Sequence, residues 1–63
     1  MIEYAQTVLP NVSDNPELFA KELKKCVDWS EEAELAELQR WAIANFGVIY
    51  PVVLKRIFLK KAA

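Results

Sequence analysis

From residue 15 onward the apolar residues recur at three- and four-residue spacings in a stretch that Pro16 opens, and Ser30 and then Gly47 with Pro51 divide it into three pieces. Such a period marks an amphipathic helix. No run after Pro10 alternates apolar with polar residues between turn dipeptides, as paired strands would. The pattern predicts an all-α chain: a small three-helix bundle with helices at about 15–28, 31–46 and 51–61, in a single helical domain over residues 1–63.

Each boundary carries a local signal. Asp14 with Glu17 three residues on has the spacing of a capping box, and Pro16 falls in the first turn, where its missing N–H loses no bond. On the first of the three helices Phe19, Leu23, Cys26 and Val27 share one face, with Glu17, Lys21, Lys24 and Asp28 opposite. Ser30 reads as the cap of the next helix, with Glu31, Glu32 and Glu34 at its positive end. Its stripe is Leu35, Leu38, Ala42 and Phe46, bordered by Trp41 and Ile43, and Gly47 reads as a left-handed terminator. Pro51 opens the last helix, whose core arc is Val53, Leu54, Ile57 and Phe58.

Residues 2–9 are ambiguous. Their alternation fits an edge strand, while Ile2, Ala5 and Leu9 fit a short helical stripe. Pro10 should end either one by pushing Leu9 out of the α region. With no partner strand in the chain, the expectation is an N-terminal arm or a short extra helix.

Size makes partners matter. For 7.2 kDa, size scaling gives roughly 10,400 Å² of unfolded surface and about 4,100 Å² folded. Burial of the apolar share contributes ~95 kcal/mol at ~25 cal/mol/Å². Ordering the chain opposes it by about the same amount. The lone Cys26 forms no intrachain disulfide, and a chain without histidine builds no Cys/His zinc site. With 54% apolar residues, some apolar surface should stay outside so small a core. Self-association, for example as a homodimer, or partner binding would cover it.

Charge is split along the chain. All nine carboxylates lie in residues 1–37, whereas residues 38–63 carry Arg40, Lys55, Arg56, Lys60 and Lys61 and no acid. Much of this is helix logic, since Asp14, Glu17, Glu31 and Glu32 sit at helix starts and Lys60 and Lys61 at a helix end. The remaining signal is narrower: Lys55 and Arg56 flanked by Val52 and Leu59 on the outer face of the last helix. Its rival reading packs Val52 and Leu59 on the N-terminal arm.

Other chemistry is thin. Glu22 borders an apolar arc, but it has no histidine, second acid or metal to work with. Cys26 reads as a small buried hydrophobe. Trp29 and Trp41 read as lids over a thin core, with Trp41 the better candidate for an interface anchor. The segment Trp41–Val48, followed by Pro51 and Leu54–Ile57, loosely resembles a helix-turn-helix. Ile49, Tyr50, Val52 and Val53 stand where polar side chains would read bases, and the isoelectric point is near 5.3.

The expected function is therefore a non-enzymatic helical protein–protein interaction module, working by self-association or by docking on a larger partner. Its candidate contact residues are Trp41, Val52, Lys55, Arg56 and Leu59, and no cofactor or metal is expected. A nucleic-acid-binding regulator is the alternative. The opening Met-Ile-Glu-Tyr-Ala lacks the basic-then-apolar pattern of a secretory leader. The longest apolar stretch, Phe46–Leu54, falls far short of the ~20 residues of a membrane span. A soluble, cytoplasmic protein is the expectation.

Overall fold

Four helices follow one another in the computed structural model, which describes residues 2–62, the side chains of residues 60–62 excepted. They are α1 (Ile2–Asn11), α2 (Pro16–Trp29), α3 (Glu32–Phe46) and α4 (Pro51–Ala62), and no strand occurs among the described residues. α1 packs chiefly on α2 and also touches α3, while α4 packs on both α2 and α3. The Cα radius of gyration, 10.2 Å, lies close to the ~10.6 Å of a compact chain this long. Among the described residues no arm extends from the body.

Residues 2–9 resolve as helix, and the helix runs on through Pro10 to Asn11. Proline was expected to stop it because the ring disfavours α geometry at Leu9. Burial decides otherwise: Ala5 and Leu9 are fully buried, and extending the helix keeps Leu9 in the core. Only one helical residue, Asn11, follows Pro10. Asn11 Nδ2 donates to the Thr7 carbonyl at 3.0 Å, occupying an acceptor near the helix end.

Two caps differ from the sequence reading. Asn15, not Asp14, caps α2, its Oδ1 accepting from the Leu18 amide at 3.1 Å while Pro16 takes the first helical position. An amide oxygen one residue later serves the Leu18 N–H where Asp14 would have served that of Glu17, so adjacent capping residues compete and the register of Pro16 settles which one wins. Ser30 does not start α3. It ends α2, its hydroxyl donating to the Cys26 carbonyl at 2.7 Å, and Glu31 stands at the N-cap of α3 without a side-chain cap bond.

Gly47 also departs from expectation. Its φ is −60° and ψ −31°, so the glycine is right-handed. What it supplies is space, because a Cβ there would overlap the Ile43 carbonyl oxygen. The Gly47 amide donates to that oxygen at 2.9 Å, and the Tyr50 amide donates to the Phe46 carbonyl at 2.7 Å, folding the chain tightly into α4.

The core follows the stripes. Phe19, Leu23, Cys26 and Val27 of α2, Leu38, Ala42 and Phe46 of α3, and Leu54 and Phe58 of α4 are buried with Ala5 and Leu9. Val53 and Ile57, at the edges of the α4 arc, are half-buried. Phe19 holds the aromatic centre: its ring lies 4.9 Å from Phe46 edge-on and 4.5 Å from Tyr50 stacked. The Tyr50 hydroxyl donates to the Ser13 carbonyl, tying the α3–α4 connection to the α1–α2 connection.

Candidate functional site

Helix α3 meets α4 along a seam that does not close. On α3 the residues facing it are Leu35, Gln39, Ile43 and then Gly47, each four positions from the next. On α4 they are Pro51, Lys55 and Leu59, again four apart, with Leu54 and Phe58 as the floor. Residues four apart stack into a ridge along a helix, so two such rows make the walls of a groove. Its volume is about 410 Å³.

The lining is apolar apart from Gln39 and Lys55, and Lys55 is its one ionisable side chain. Large aliphatic side chains are exposed on α3, on α4 and on the turn between them. Ile43 is 52% exposed, Leu59 57%, Val52 63%, Ile49 59% and Val48 98%. Aliphatic side chains left in water on these two helices gain by being covered.

Of the five residues singled out from sequence, the groove takes two, Lys55 and Leu59. Val52 and Arg56 are exposed on the outer flank of α4 and do not line it. Trp41 lies elsewhere: half-buried against the core, its ring is edge-on to Phe46 at 5.6 Å. Leu35, Gln39, Ile43, Gly47 and Pro51 were not singled out. Their shared four-residue spacing was visible in the sequence, but a wall is recognisable only once the facing helix is placed. Lys60 and Lys61 fall outside the described side chains.

A second constellation joins α1 to α2. Lys25 Nζ donates to the Tyr4 hydroxyl at 3.3 Å, and that hydroxyl donates to Glu22 Oε1 at 2.9 Å. The ammonium also lies 5.3 Å from the Tyr4 ring centre and 5.8 Å from that of Trp29. The bond to Tyr4 raises the lysine pKa above its ordinary value. Trp29, expected as a lid, is instead 70% exposed at the end of α2. At the last helical residue there is no following turn to shelter the indole, so it covers Lys25 rather than the core.

Cys26 is fully buried, and desolvation pushes its thiol pKa up, the opposite of what a nucleophile needs. Among the described residues no group of three His, Cys, Asp or Glu stands close enough to hold a metal ion, and no helix is long and apolar enough to cross a membrane. No family model matches the sequence, and comparison with curated proteins and with solved structures finds no match.

Proposed function

We propose that this protein is a non-enzymatic interaction module whose contact face is the α3–α4 groove with its aliphatic rim. The observation that carries the reading is an apolar groove floored by buried Leu54 and Phe58 whose wall residues Ile43 and Leu59 stay more than half exposed. A chain of 63 residues has little stability to spare, and covering such a face adds to it by mass action. The partner is another protein surface or a second copy of the chain, met in the cytoplasm.

Nucleic-acid binding by α4 has less support. Lys55 and Arg56 are exposed there, but aliphatic Val48, Ile49 and Val52 share that end of the molecule and offer nothing to a phosphate or a base edge.

The test is a bait comparison joined to sedimentation. Immobilised wild type should retain a protein that the Ile43→Asp, Leu59→Asp variant loses, or wild type should sediment as an oligomer that the variant does not form. Both substitutions sit at exposed positions, so a helical circular dichroism spectrum should persist. If wild type is monomeric at high concentration and both baits retain the same proteins, the docking reading fails.

A further inference from the structure

We infer that the occupant of the groove is an amphipathic helix of a partner protein whose apolar ridge is flanked by carboxylates; the inference rests on the docking reading above and names the chemistry of the partner.

Shape supplies the first argument. Both walls are rows of residues four apart, and the floor is two buried side chains, Leu54 and Phe58. A helix presents a ridge of the same spacing, which is the complement of such a trough. The molecule measures 28 × 22 × 19 Å. At ~1.5 Å per residue the α3 wall from Leu35 to Gly47 runs ~18 Å, so a helix of about 14 residues, ~21 Å long, covers the trough.

Charge supplies the second. No carboxylate occurs after Glu37, so neither the α3 wall beyond that point nor any part of α4 carries a negative side chain. Lys55 stands in the wall, Arg56 follows it on the exposed side of α4, and Arg40 is exposed on α3 one residue past Gln39. An acid-flanked helix finds cations on both sides of the trough. A base-flanked one is repelled along the stretch past Glu37, which sets specificity as well as affinity.

The same charges argue against a second copy. A two-fold contact through this face brings Lys55 and Arg56 of each chain into one interface with their own counterparts. A head-to-tail contact on the acidic first half avoids that clash, but unless its rotation closes into a ring it builds an open chain of molecules.

Three fluorescent peptides of about 14 residues test this, each with leucine on the ridge positions of one face and the remaining positions filled by glutamate, glutamine or lysine. Titrating full-length protein and reading anisotropy, the glutamate peptide should bind at least about tenfold more tightly than the lysine peptide. That preference should shrink as salt is raised. Lys55→Glu with Arg56→Glu should invert it, while Ile43→Asp with Leu59→Asp should abolish binding of all three. Both pairs lie at exposed positions, and retained helicity confirms that each variant is folded. Equal binding of the three peptides, or preference for lysine, overturns the acidic-partner inference and leaves the docking reading standing. Self-association lost in the Ile43→Asp, Leu59→Asp variant overturns it in favour of a second copy. No binding by any peptide, with wild type monomeric, removes both.

Discussion

Replacing Tyr50 by phenylalanine removes one hydroxyl and leaves the ring in place, which isolates the bond joining the two inter-helix connections. That hydroxyl donates to the Ser13 carbonyl across 37 positions of sequence in a part-buried setting. Losing such a bond weakens stability by about 1 kcal/mol. Tyr50→Ala goes further. It also removes a half-buried ring stacked on Phe19 at 4.5 Å, a stacking worth ~0.5–1.5 kcal/mol beyond the area the ring covers. Full burial would make an aromatic-to-alanine change worth ~3–5 kcal/mol, so a half-buried ring with its bond should give about 3 kcal/mol. Total stability for a chain of this length is about 3–9 kcal/mol. Tyr50→Phe should therefore stay folded with its melting temperature lowered by about 4–8 °C, and Tyr50→Ala should be marginal or partly unfolded. Urea denaturation followed by far-UV circular dichroism reads both, with m unchanged if only stability moves. A Tyr50→Phe midpoint equal to wild type would refute the reasoning, because the connection would then hold α4 through the ring alone.

At Gly47 the sign of the effect is the test. A right-handed glycine usually gains ~0.4–1 kcal/mol on replacement by alanine, yet here a Cβ meets the Ile43 carbonyl. Gly47→Ala should instead destabilise by about 1–3 kcal/mol, read by the same urea melt. Burial of Cys26 predicts that a thiol reagent reacts with native protein only as fast as the chain opens, and at once when urea is added. The same burial gives a pH dependence. The folded thiol titrates above its ordinary 9.0, so the unfolded chain releases that proton first and stability falls as pH rises past about 9. Cys26→Val should lack that component in alkaline melts. The α1–α2 constellation is exposed, and a double-mutant cycle of Tyr4→Phe with Lys25→Ala should give only a small coupling that declines as salt is raised.

The sequence carried the helices and most of the core, because both depend on local periodicity. Phe19, Leu23, Cys26 and Val27 share an arc on any helical wheel, and all four are buried. Pro16 and Pro51 each open a helix where a missing N–H loses nothing. What stayed illegible depends on competition between near-equal choices. Asp14 and Asn15 are both good caps, and the helix register picks one. Ser30 can end one helix or begin the next, and only the position of the Cys26 carbonyl decides. Pro10 opposes a helix locally, while burial of Leu9, set by α2 and α3, favours it. For the candidate site, the sequence showed an outer face on α4 with Lys55 and Leu59, but not that α3 would stand off from it. A groove is a property of two elements, and a pattern describes one at a time.

The central claim is that the α3–α4 groove is where this protein meets its partner. Amide chemical shifts of labelled full-length protein, recorded while the glutamate-flanked peptide is added, test it most directly. The account predicts that shifts concentrate at Gln39, Ile43, Lys55 and Leu59, lining both walls, and that Tyr4, Lys25 and Trp29 on the α1–α2 side stay still. Shifts centred on Tyr4, Lys25 and Trp29, with the groove residues unmoved, would contradict it.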